Sequence, residues 1–295
     1  LIGYSRSQYL HELVLSTAFF GYGFGLINVG QNLLILRGSS EGRRRQLLSG
    51  LHSTYAVASL MAPLVVGFLT DNGWGWRNGF EAFAFLGILG LIVTLFAKDD
   101  IDDKVKSDAE VLHRWKKWMP FGVVISLYVA SEVVLSSRFV LLNRRAFNAT
   151  EAEAVLRLAG LFALLFIGRL GFTFFSFSKW SSKNIILVAL ALSIGANLLG
   201  LYFSHWFLVL CGLTMAPIFG VGVEYMALQF GKEKDRVISM VLAFSGLFIV
   251  AIHWFVGVLS DIHGIRDAML MGPILMSVSF VWMCFLPSDK GAVNA

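Results

Sequence analysis

Charge is scarce in this 295-residue chain: Asp, Glu, Lys and Arg make up 15% of it and hydrophobic residues 57%, where soluble domains carry about 25% charged residues. The mean hydropathy is +0.72. An ordinary water-soluble globule is excluded. Cysteine is reduced to Cys211 and Cys284, both inside apolar runs, so a disulfide framework is excluded and both are expected as small buried apolar residues. No HExxH, GxSxG or CxxC motif occurs, and His52 and His253 have no catalytic companions in sequence. An enzyme is therefore not expected, nor any metal or cofactor. The chain opens on Leu1 with no signal-peptide pattern, and Leu1 to Ser5 read like the tail of a preceding apolar segment.

What is present is long apolar runs. Nine stretches approach the roughly 20 residues that a helix needs to cross the hydrocarbon core: 8–36, 46–70, 78–97, 117–142, 152–176, 183–203, 205–230, 236–259 and 266–286. The expected fold class is an all-α membrane protein with nine transmembrane helices. The net charge of +5 reports topology, not nucleic acid. Of the 24 Lys and Arg, sixteen fall in alternate loops if the loop after the first helix is cytoplasmic. Only Arg77, Arg144, Arg145 and Arg266 fall in the opposite loops. This bias orients the chain in a cell (inner) membrane with its carboxyl end in the cytoplasm.

The stretch from Gly21 to Pro63 organises the rest. At 3.6 residues per turn Gly21, Gly25, Asn28 and Asn32 share one face of the first helix, and Ser49, His52, Ala56, Ser59 and Pro63 share one of the second. Matching small, polar stripes on two greasy helices suit a water-filled path, because polar side chains at bilayer depth face a cavity or another helix. Gly21 and Gly25 also form a small-xxx-small pair suited to close helix packing.

Val66-Gly67-Phe68-Leu69-Thr70-Asp71, followed by Gly75-Trp76-Arg77, recurs as Val256-Gly257-Val258-Leu259-Ser260-Asp261, followed by Gly264-Ile265-Arg266, at an offset of 190 residues. The first three helices thereby pair with the last three, as in carriers built from parallel repeats. The fourth to sixth helices have no upstream counterpart. Three further helices before Leu1 are therefore expected, in at least ~75 residues. The expected layout is a partial amino-terminal lobe of three helices over 1–97, a charged cytoplasmic linker over 98–117, and a six-helix carboxyl-terminal lobe over 118–295.

These features resemble the major facilitator superfamily, and within it the fucose/galactose/glucose proton symporter family and its relatives. The residues that carry the resemblance are Gly23-Phe24-Gly25-Leu26-Ile27-Asn28-Val29-Gly30-Gln31-Asn32, Arg44 to Ala58 around His52, Leu127-Tyr128-Val129-Ala130-Ser131-Glu132, Ile167-Gly168-Arg169, and Cys211 through Phe219. The resemblance implies helices four to twelve of a twelve-helix fold. In sugar-carrying members the position of Asn28 can be a carboxylate and that of His52 an amide. Here an amide and an imidazole stand instead.

Glu132 stands out among the polar residues. A carboxylate within an apolar helix costs about 2.5–3.5 kcal/mol on insertion scales, and a group that binds and releases a proton as a cavity alternates would justify that cost. Histidine exchanges protons near neutral pH, so His52 is a second candidate for proton coupling. Asn28, Asn32, His52, Tyr128 and Glu132 are the expected substrate-binding residues. Arg169 and Glu224, each one to two turns from the cytoplasmic end of its helix, are expected to pair as an inner gate. The expected activity is secondary active transport of a small polar solute, a sugar first, with a proton, by alternating access. An exporter or exchanger of another polar or amphipathic solute is the alternative, with a non-transporting scaffold or sensor behind it. The expected partners are substrate, proton and lipid bilayer, and the expected state is a monomer.

Overall fold

The computed structural model describes residues 1–96, 115–175 and 179–289. Most of the linker expected over 98–117 lies outside them. The described residues are helical throughout: α1 (Ile2–Arg6), α2 (Leu10–Gly38), α3 (Glu41–Asp71), α4 (Trp76–Leu95), α5 (Trp115–Ala146), α6 (Glu151–Phe174), α7 (Ser182–Tyr202), α8 (Trp206–Phe230), a 3₁₀ turn (Gly231–Glu233), α9 (Lys234–His263), α10 (Ile265–Ala268) and α11 (Met271–Phe285). Nine of these are long, and each falls on one of the nine apolar runs. Seven continuous stretches meet the length and hydropathy of a membrane span, one of them running through α8 and α9 together over Trp206–His263.

The residues group into two compact units. The first takes Leu1–Asn28 and the described residues from Met61 to Phe96. In it α1 lies on α4. Tyr4 stacks on Phe80 at 4.9 Å and donates its hydroxyl to Thr17 Oγ1 at 2.9 Å, and Arg6 pairs with Glu81 at 3.0 Å. Around these contacts the faces of α2 and α4 are apolar and exposed, Phe19 and Phe85 among them, as suits surface that meets lipid. Gly21 and Gly25 meet nothing within 4 Å where a side chain would start. The close helix packing expected of that pair is therefore not found among the described residues.

The second unit takes Val29–Leu60 and the described residues from Trp115 onward. α6 and α7 both pack on α8, while α9 and α11 pack on α5, and α11 also packs on α7. Large side chains such as Tyr128, Phe139, Ile186, Leu208 and Met215 are sealed in the centre. Small polar groups stitch the helices where apolar burial alone provides no drive against lipid. Ser126 meets Ser245 at 2.8 Å, Ser193 donates to Thr214 at 2.9 Å, and Ser131 and Ser279 donate to the Gly272 and Val124 carbonyls, each at 3.0 Å. Gly212 lets α8 sit directly against the Leu161 carbonyl of α6. Both cysteines are free: Cys211 is buried as expected, whereas Cys284 is exposed, on the outward side of α11.

The internal repeat has a local structural counterpart. Residues 66–71 form the last turns of α3 and residues 256–261 the last turns of α9. Each helix is followed by a glycine with positive φ, Gly73 at 79° and Gly264 at 86°, a conformation that side chains resist. The repeated arginines then cap helix ends within their own units: Arg77 donates to the Ser7 carbonyl and Arg266 to the Ala146 carbonyl, each at 3.0 Å.

Candidate functional site

Glu132 lies deep in α5 and Arg169 in the last third of α6. Arg169 Nη2 donates to Glu132 Oε1 at 3.1 Å, and Nη1 donates to the main-chain carbonyl of His52 at 3.1 Å. The guanidinium also lies 5.8 Å from the ring centre of Tyr55, one turn beyond His52 on α3, within the range of a cation–π contact. Tyr128, one turn before Glu132, turns its hydroxyl onto the Glu132 carboxylate and lies 3.0 Å from the Met215 carbonyl of α8. One arginine thus holds α3, α5 and α6 together, and one tyrosine adds α8. The Arg169 side chain is 4% exposed and that of Glu132 16%, so the carboxylate is the less enclosed member of the pair.

Beside this cluster, His52 Nε2 and Asn32 Oδ1 lie 3.2 Å apart, both residues buried, and Phe219 of α8 meets the imidazole edge-on at 4.5 Å. Asn32 and His52, one residue from each polar stripe, therefore meet within the second unit. Ser49 and Gly50 keep α3 close to its neighbours: a Cβ at Gly220 of α8 would lie 3.3 Å from Ser49 Oγ, and one at Gly50 would lie 3.5 Å from Thr173 of α6. Asn28 sits one turn before Asn32 on α2, half-buried, and belongs to the first unit.

The expected Arg169–Glu224 pair is replaced by two other pairs. Arg169 is taken by Glu132, and Glu224 accepts from Arg45 of α3 at 2.6 Å. Ser182, at the start of α7, bridges that second pair: its hydroxyl accepts from Arg45 at 3.0 Å and donates to Glu224 at 3.2 Å. The reason is axial register. Gly160 of α6 is level with Val209 of α8, and Gly168 with Leu213 and Ala216. Arg169 is thus level with Pro217, and Glu224 lies seven residues further, about 10 Å at 1.5 Å per residue. Counting turns from the helix ends missed this because the two helices do not end at the same depth.

Residues 286–289 are tied beneath the Arg45–Glu224 pair. The Asp289 carboxylate accepts from the amides of Ser182 and Lys183 at the start of α7, where the helix dipole favours a negative charge. Tyr225 donates to the Pro287 carbonyl at 2.5 Å and Gln229 to the Ser288 carbonyl at 3.2 Å.

Sequence reasoning passed over Arg45, Tyr55, Ser182 and Asp289. Arg45 is one of the sixteen loop charges that set topology, yet it also lies one turn before Ser49 on the polar stripe. Tyr55 stands three residues from His52, a spacing that places it on the same side of the helix.

The model of the Major Facilitator Superfamily matches residues 1–247. Bypass of stop codon protein 6 from Saccharomyces cerevisiae (strain ATCC 204508 / S288c) is 24% identical over 321 residues, which take in 92% of this chain and 63% of that protein's length. Among solved structures, the crystal structure of a Major Facilitator Superfamily transporter, FucP, in the outward conformation, superposes with a TM-score of 0.70 at 15% identity, covering 89% of this chain and 73% of that one. Seven stretches with the length and hydropathy of a membrane span among the described residues, the repeated helix–glycine–arginine ending and a family match over most of the chain converge: this protein is a multi-pass membrane protein that belongs to the Major Facilitator Superfamily.

Proposed function

We propose that this protein is a secondary active transporter, not an enzyme, that moves a small polar solute, a sugar first among the candidates, together with a proton by alternating access. The observation that carries the reading is the Glu132–Arg169–Tyr128 cluster. In this reading Glu132, the less enclosed member of the pair, binds and releases the proton, and loss of its charge weakens its hold on Arg169. Arg169 also grips the α3 backbone at His52, so the protonation state of Glu132 acts on the attachment of α3. Asn28, Asn32, His52 and Tyr128 are the proposed substrate contacts, with amide and imidazole groups able both to donate and to accept. His52 contributes to substrate binding or to the pH profile. Glu224 acts as an inner gate with Arg45 as its partner, and Arg169 acts through Glu132. The carboxyl end is proposed to lie in the cytoplasm and the protein to work as a monomer.

The test is transport by protein reconstituted in liposomes, with a panel of sugars, for wild type and Glu132→Gln. Glutamine keeps an oxygen for Arg169 and for Tyr128 but cannot cycle a proton. The variant is expected to retain solute counterflow and to lose uptake driven by a proton gradient. Full gradient-driven uptake in the variant sinks the coupling role, and absence of counterflow for every solute in the wild type sinks the sugar reading. The buried Arg169 favours a second reading, an organic-anion carrier whose substrate competes with Glu132 for the guanidinium. Counterflow of carboxylates in the same assay, without sugars, selects it.

A further inference from the structure

Three arginines begin α3, and they differ in what they meet. Arg45 is neutralised by Glu224, and Arg43 is exposed to solvent. Arg44 is only 4% exposed, its Nε is sealed without a hydrogen-bond partner, and among the described residues it makes no ion pair. A guanidinium cannot shed its proton, and a buried charge without a counter-charge costs several kcal/mol. Nearby, Arg37 is already held by Asp235 at 2.8 Å, so the loop between α2 and α3 offers Arg44 no acid among its described side chains.

The place where Arg44 sits suits an anion. It is the fourth residue of α3, and helical side chains lean back over the turn that precedes them, which carries Arg44 toward the amino end of a 31-residue helix. Amides and dipole there favour negative charge. Ser39, two residues before the helix, has a buried hydroxyl that also lacks a partner. There is room at this end: a Cβ at Gly38 or Gly42 meets nothing within 4 Å.

We propose that Arg44, Ser39 and the first turn of α3 form a binding site for a phosphate group. With the orientation proposed above, the site lies at the level of the cytoplasmic headgroups. The phosphate is either the diester of an anionic glycerophospholipid or free phosphate. The bound anion supplies the counter-charge that Arg44 lacks among the described residues and clamps the α2–α3 turn one residue from the Arg45–Glu224 pair.

Thermal unfolding of the purified protein tests this in two arms. In neutral detergent, inorganic phosphate is titrated against chloride at equal ionic strength. In nanodiscs, phosphatidylcholine alone is compared with phosphatidylcholine plus phosphatidylglycerol. The wild type is expected to rise by about 2–4 °C in at least one arm. A rise in the first arm identifies free phosphate, and a rise only in the second identifies the headgroup. Arg44→Gln is expected to lose the rise, Arg43→Gln to keep most of it, and Ser39→Ala to need severalfold more anion. Without anion, Arg44→Met is expected to melt no lower than wild type, since it removes a buried charge that has no ion pair among the described residues. No rise in either arm, a rise undiminished in Arg44→Gln, or a lower melting point for anion-free Arg44→Met overturns the proposal. Should Arg44→Gln fail to fold, a rise undiminished in Ser39→Ala overturns it. The readout is binding, so it stands or falls separately from transport.

Discussion

The carboxylate of Glu132 and the guanidinium of Arg169 meet at 3.1 Å from two helices, and neither finds another charged partner among the described residues. Removing one member of a buried pair leaves the other uncompensated. Arg169→Met is therefore expected to cost about 3–5 kcal/mol of stability. Glu132→Met/Arg169→Met together are expected to cost clearly less than the two single losses summed. Unfolding measured on all four proteins in one detergent checks this, and additive losses would contradict the pairing.

Arg45 and Glu224 behave as a second, independent unit. Arg45→Glu or Glu224→Arg alone places like charges against each other in a site where both side chains are less than one tenth exposed. Each single reversal is expected to lower the melting temperature and the transport rate, and the double reversal to restore a large part of both. Arg169→Glu with Glu224→Arg, by contrast, is expected to restore nothing. Rescue by that second combination would mean that the two residues do pair in a state other than the one described.

Glycine is needed at some positions and tolerated at others. A side chain at Gly212 collides with the Leu161 carbonyl, main chain that cannot move aside, whereas one at Gly21 meets nothing within 4 Å. Gly212→Val is expected to cost at least about 1–3 kcal/mol by overpacking, and Gly21→Ala to stay within about 0.5 kcal/mol. Comparable losses at both would show that Gly21 has a packing partner beyond the described residues.

Much of the fold is legible in the chain. Each apolar run became helical, the last of them as α10 and α11 in succession, and the repeat around Val66 and Val256 became two helix ends that each precede a positive-φ glycine. Of the cluster around Glu132, some neighbours were legible along one helix and fewer across helices. Tyr128 and Glu132 were placed together because they are four apart on one helix, and local periodicity carries that information. Asn32 and His52 were placed on matching stripes, and the structure joins them at 3.2 Å. The partner of Arg169 was misread, because helix ends gave a false measure of depth.

The sequence by itself determined that the chain spans a membrane, how many long helices it makes and which faces of those helices are polar, since hydrophobic length and helical period are local properties. Only the tertiary structure decided which charge answers which: Arg169 to Glu132, Arg45 to Glu224, and Arg44 to no acid among the described residues. Those pairings depend on the axial register of helices far apart in the chain, where a slip of two turns moves a side chain by about 11 Å and so replaces one partner with another.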